Sequence, residues 1–101
     1  MELKNKIANG LRLSFPVNNV QDVIKVEVRT KEEEKWMKLN DDQYSCSIVN
    51  DEYNVEVKQL KCGIEYQVRI LTRCKDGKVQ LLSTDQFIKV VGKYFFQVFI
   101  V

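Results

Sequence analysis

The sequence predicts an all-β domain, an antiparallel β-sandwich of about seven short strands. Three observations predict it. Apolar and polar residues alternate with a period of two along most of the 101 residues, Gly and Asn/Asp clusters interrupt that alternation at short intervals, and no segment keeps a helical period over a useful length. At this length, and with 45% hydrophobic residues, one domain can remove roughly two-thirds of its unfolded surface from water. A chain of this size can fold without metal or disulfide staples.

Leu11, Leu13 and Phe15 alternate with Arg12 and Ser14 after the turn dipeptide Asn9-Gly10, which predicts a strand leaving a tight turn. Pro16, Asn18 and Asn19 close it, because proline cannot donate to a ladder and asparagine favours turns. Ile24, Val26 and Val28 alternate with Lys25, Glu27 and Arg29, so three β-branched side chains are expected inside and three charges outside. The charged run Lys31 to Lys35 reads as an exposed hairpin loop. Trp36 and Lys38 then share one face of the next strand, with Met37 and Leu39 on the other, and Asn40, Asp41 and Asp42 end it. Val55 and Val57 alternate with Glu56 and Lys58 in a further strand.

The stretch Leu60-Lys61-Cys62-Gly63-Ile64-Glu65-Tyr66-Gln67-Val68-Arg69-Ile70 resembles the corner between strands E and F of fibronectin type III domains. Leu60, Gly63 and Tyr66 stand at the offsets of that pattern, and Cys62 replaces the usual proline. The resemblance implies a glycine with backbone freedom and a buried tyrosine whose hydroxyl bonds back to the corner. It extends from about Leu3 to Val91. Phe15 takes the place of a core tryptophan on strand B, Ile24-Val26-Val28 resembles strand C, and Lys35-Trp36 resembles the start of strand C′. Asp76-Gly77 falls in the F–G loop, and Phe87 to Val91 resembles strand G. The implied fold is the immunoglobulin-like sandwich, with residues 1–91 as the domain and 92–101 as an apolar tail.

Composition argues against catalysis. With no histidine, the commonest general base and the commonest zinc ligand are both missing, and a nucleophilic cysteine has only Lys or Arg neighbours to activate it. Adjacent carboxylates such as Asp41/Asp42 or Glu32/Glu33/Glu34 point apart on strands and loops. No enzyme, metal or cofactor is expected. The 16 basic and 14 acidic side chains are interspersed rather than gathered into a basic arm, so nucleic acid is not an expected partner. Met1 to Asn9 lacks the apolar core of a secretory signal, and no apolar run approaches the roughly 20 residues of a membrane-spanning helix. An intracellular protein, or a fragment of an extracellular one, is the expectation.

Cys46, Cys62 and Cys74 cannot all pair within one chain. The family topology implies that Cys46 and Cys74 lie toward one end of the sandwich and Cys62 at the other, which leaves open either a Cys46–Cys74 bridge or three free thiols.

If Tyr66, Val68 and Ile70 point inward, Arg69, Leu71 and Arg73 point outward. Strands C and F are neighbours in the resembled family, which implies that these residues and outward Lys25, Glu27 and Arg29 form one arginine-rich patch with Trp36 or Lys38 at its margin. Arg29, Trp36, Arg69 and Arg73 are therefore the first candidate protein-binding residues, since Arg and Trp dominate interface hot spots and can stack on one another. Lys75, Asp76 and Lys78 in the F–G loop are the second group, at the end shared with the loop Val17 to Asp22. The expected function is a non-catalytic interaction or spacer module of a larger protein. A cytokine-receptor-like ligand-binding module is the alternative, although the Trp-Ser-x-Trp-Ser signature is missing. The tail residues from Tyr94 to Val101 are uncharged and of high β-propensity. They either extend or edge the sandwich, mediate self-association, or stand apart from the evolved domain.

Overall fold

The alternation of Leu11, Leu13 and Phe15 produces the first strand, β1 (Gly10–Pro16), in the computed structural model, which describes residues 10–90 and the backbone of residues 95–99. All three side chains are buried. The strands that follow are β2 (Val20–Thr30), β3 (Met37–Lys38), β4 (Tyr44–Val49), β5 (Glu52–Val57), β6 (Glu65–Cys74), β7 (Val79–Ser83), β8 (Ile88–Lys89) and β9 (Phe95–Phe99). No helix among the described residues is long and apolar enough to cross a membrane. Asn9, Leu3 to Ala8, Val91, Tyr94, Ile100 and Val101, on which parts of the expected turn, domain and tail fall, lie outside the described residues.

Two sheets build a β-sandwich. One has the order β4-β5-β1-β9 and the other β3-β2-β6-β7, with β8 also pairing β6. The pairings are antiparallel except that β9 runs parallel to β1, along Gly10↔Phe95 to Ser14↔Phe99. Leu11, Leu13 and Phe15 face Val57, Val55 and Tyr53 across β1 and β5. Val26 and Val28 of β2 sit opposite Ile70 and Val68 of β6. These residues, with Leu39, Leu60 and Val90, form one buried cluster between the sheets. The Phe15 and Tyr53 rings stack at 5.4 Å, and the Tyr53 hydroxyl crosses to the other sheet to donate to the Gln21 carbonyl at 2.9 Å. Burial first, then the Asp22 charge, pushes the Tyr53 hydroxyl pKa up.

The corner has the expected geometry. Gly63 adopts φ 85°, a conformation that side chains disfavour, and its N–H donates to the Val90 carbonyl at 2.9 Å. Tyr66 is buried, and its hydroxyl accepts the Lys61 N–H at 3.1 Å. A polar group on the core side of the sheet is thereby satisfied without water.

Three local expectations need correction. Ile24 was expected to point inward with Val26 and Val28, but the β2–β6 register shifts between Val23 and Lys25, and Val23 packs against the core instead. A bulge moves one residue to the other face. Of the described part of the expected strand over Phe87 to Val91, Ile88–Lys89 alone pairs as a strand, and the main partner of β6 on that side is β7. Between the two, Thr84 replaces the ladder: its N–H donates to the Val68 carbonyl at 2.9 Å, and its hydroxyl accepts the Val68 N–H at 3.1 Å. Met37 and Leu39 share a parity, yet Leu39 is buried and Met37 is 58% exposed, because the two-residue β3 lies at the sheet edge.

Tyr66→Phe should lower stability by about 1–3 kcal/mol, because it strands the Lys61 N–H at the corner. Phe15→Ala should cost about 3–5 kcal/mol through loss of ring contacts in the core. Urea denaturation of both variants checks this. An unchanged midpoint for Tyr66→Phe would show that water replaces the hydroxyl at the corner, and a mild Phe15→Ala would show that the site collapses around the missing ring.

Candidate protein-binding face

Because Val26 and Val28 of β2 and Val68 and Ile70 of β6 turn into the core, the residues between them are driven outward. Cross-strand register then sets three rows on the outer face of the β3-β2-β6-β7 sheet. Ser83, Arg69, Glu27 and Lys38 form one row; Leu81, Leu71 and Lys25 the next; Val79, Arg73 and Asp22 the third.

The structure brings Arg29, Trp36 and Arg69 together. The Arg69 guanidinium lies 4.2 Å from the centre of the Trp36 ring and that of Arg29 lies 4.8 Å from it, with Phe87 a further 5.6 Å from Arg29. Each such contact contributes roughly 0.5–1 kcal/mol where exposed. Hydrogen bonds hold the arginines in place. Arg29 donates to the Gln67 side-chain oxygen at 2.8 Å and to the Glu34 carbonyl at 3.4 Å, and Gln67 in turn donates to the Thr84 carbonyl at 2.9 Å. Arg69 is ion-paired with Glu27, which Lys25 also approaches at 3.5 Å.

Glu27 is an unexpected participant. It belongs to the outward parity, yet it is only 9% exposed, roofed by the side chains that pair with it. Burial pushes its carboxyl pKa up, but the Arg69 hydrogen bond and charge, with Lys25, prevail and hold it below the usual value. The alternation that placed Glu27 outside could not show this, because its cover comes from neighbouring strands.

Arg73 stands apart from the stack. It is exposed and reaches Asp22 at 3.7 Å, across the strand from Val79. Lys75, Asp76 and Lys78 form the β6–β7 turn, where Gly77 takes φ 90° and the Asp76 carboxylate accepts the Lys78 N–H at 2.9 Å. The Lys75 N–H donates to the Asn19 carbonyl at 2.7 Å, so this turn and the loop before β2 meet at one end, as expected. Asp76 is thus occupied within its own turn. Val79 and Leu81 are 57% and 53% exposed beside Leu71. Leu71 was expected to point outward, whereas Val79 and Leu81 were missed; the Asp76-Gly77 turn followed by Val-Gln-Leu carries their signal.

The three cysteines are free: Cys46 and Cys62 are exposed and Cys74 is half-buried. Cys46 lies on β4 and Cys74 on β6, in different sheets.

Because the Glu27 pKa is lowered by folding, the carboxylate stabilises the native state above its unfolded pKa, near 4.5, and that contribution is lost as the pH falls through the lower folded value. Stability should therefore drop on acidification below about pH 4.5, and more steeply in the native chain than in Glu27→Gln. Urea midpoints of the two across pH 2 to 7 measure the difference. Parallel curves would remove the folded-state Glu27 pairing from the account.

No protein-family model, no curated protein and no solved structure matches this chain, so what the face does follows from its own chemistry.

Proposed function

We propose that this chain is a fibronectin type III-like domain that serves as a non-catalytic protein-binding module, docking its partner on the outer face of the β3-β2-β6-β7 sheet. The corner built by Leu60, Gly63 and Tyr66 supports the family reading, through the positive φ of Gly63 and the Tyr66 hydroxyl bonded to Lys61. One observation carries the binding reading: an ordered Arg29–Trp36–Arg69 stack shares the outer sheet face with exposed Leu81, one row from Arg69, and with exposed Val79 opposite Arg73. Interfaces draw their energy from such Arg, Trp and apolar groups when partners desolvate them. Because Arg29 and Arg69 are already held by Gln67 and Glu27, little side-chain entropy remains to be lost on docking.

A cytokine-receptor-like ligand-binding module is the second reading, favoured by the stacking of Arg69 from β6 on Trp36. Both readings use the same face. The second demands a secreted ligand, the first any protein partner.

Arg73→Glu combined with Leu81→Ser changes two exposed positions outside the Arg69–Glu27 pair, so folding stability should shift by only about 0.5 kcal/mol per site. Recovery of a bound partner by the variant, measured against the native chain in a quantitative pull-down, should fall at least about tenfold. Undiminished recovery would reject this face, and charge reversal at Lys75 and Lys78 would then test the turn.

A further inference from the structure

β4 (Tyr44–Val49) is an edge strand whose sole strand partner among the described residues is β5. The phase of its hydrogen bonds follows from the turn. Asn50 and Asp51 take φ 52° and 64°, the two positive values of a tight two-residue hairpin, which makes Val49 and Glu52 the first fully bonded pair. At the far end the Lys58 N–H donates to the Gln43 carbonyl at 2.8 Å, in the same phase. Gln43, Ser45, Ser47 and Val49 therefore turn their backbone groups toward β5, and Tyr44, Cys46 and Ile48 turn theirs to the open edge.

The devices that normally blunt such an edge are missing from β4. It carries no charge, no proline and no bulge, and its six residues pair continuously with β5. Its core-side residues are also poorly covered. Cys46 and Ile48 lie opposite buried Val55 and Tyr53, yet Cys46 is exposed and Ile48 is 57% exposed.

We propose that β4 is a homodimerisation edge, pairing antiparallel with β4 of a second copy across a twofold axis at Cys46. Symmetry selects that occupant and that register. The outward-bonding set Tyr44, Cys46, Ile48 is symmetric only about Cys46. An axis there sets Cys46 against Cys46 of the second copy and Tyr44 against Ile48, and each pair exchanges both of its backbone hydrogen bonds. The side chains are self-complementary in the same register: an aromatic meets a β-branched residue, and Ser45 meets Ser47. No like charges face each other along the strand. The two four-stranded sheets become one continuous sheet, leaving the arginine face of each copy free on the other sheet.

An edge pairing of this size buries less than the roughly 1,000 Å² of a stable interface, so the dimer is weak and concentration-dependent. Opposed residues in such a pair have Cα atoms about 5.5 Å apart, within disulfide range, which gives a covalent probe. The test uses the full chain with Cys62→Ser and Cys74→Ser, so that Cys46 is the remaining thiol. Sedimentation velocity across a concentration series should show a monomer–dimer equilibrium. Diamide, which takes up two electrons and two protons as the S–S bond forms, should trap that dimer through Cys46. Adding Cys46→Lys, which opposes two like charges at the axis, should weaken association at least tenfold while leaving the thermal midpoint near that of the parent. Cys46→Ser should abolish trapping and keep the equilibrium. A chain monomeric at every concentration overturns the proposal, as does a dimer that survives Cys46→Lys, which would assign association to the tail or to β7. None of these outcomes depends on the arginine face.

Discussion

The pairing of β2 with β6 is the constraint on which the rest of the molecule depends. β6 is bordered by β2 on one side and by β7 and then β8 on the other, so most of its length is held on both edges. Once fixed, its alternation has one solution: Tyr66, Val68, Ile70 and Thr72 enter the core, while Gln67, Arg69, Leu71 and Arg73 leave it. Everything on the outer face inherits its position from that choice. A slip of one residue would bury three charged or amide side chains and expose the core set, a cost far beyond the stability of a domain this size.

The same ladder explains why Glu27 and Arg69 coexist with little exposure on an outward face. They sit directly opposite each other across β2 and β6, with Lys38 beyond Glu27 on β3. A buried ion pair is weak evidence for stability, because desolvation offsets much of the attraction. Its better-supported role here is geometric. It fixes the Arg69 guanidinium where it meets the Trp36 ring, and Gln67 does the same for Arg29 through a bond that continues to Thr84. Thr84 therefore serves two purposes, closing the gap between β7 and β8 and anchoring the far end of the arginine cluster.

What the sequence shows of this fold follows from how many sides of a strand are covered. The inward residues of β1, β5, β6 and the second half of β2 follow from periodicity because one face of each is in the core, whereas the cover over outward Glu27 does not. β4 was missed because burial imposes almost no pattern on it; only Tyr44 packs against the core. Its signal lay instead in the Asn50-Asp51 dipeptide, whose side chains tolerate positive φ. Ile24 was misplaced because a bulge is a property of two strands and leaves no mark in one. The outward positions of Arg29, Arg69 and Arg73 were legible, whereas the grouping of the first two with Trp36, and the separation of Arg73, depended on where the two-residue β3 delivers its neighbour's ring.

On the proposed binding reading, these constraints decide which groups of the outer face a partner would meet. Arginine carries five N–H donors and no acceptor. The Nε donors of Arg29 and Arg69 are committed to Gln67 and Glu27, and the ring face of Trp36 is occupied by their guanidinium groups. The stack therefore presents a stiff, partly neutralised surface, a poor magnet for a diffuse negative charge. Arg73, paired only loosely with exposed Asp22, keeps most of its charge available, and it stands beside Val79 and Leu81. An acidic side chain of a partner would find its strongest electrostatic contact there, at the β7 border, while apolar groups would gain most by covering Leu81 and Leu71. The chemistry that fits is thus a mixed surface, apolar opposite β7 with a carboxylate near Arg73, rather than the uniformly acidic one that arginine content alone would suggest.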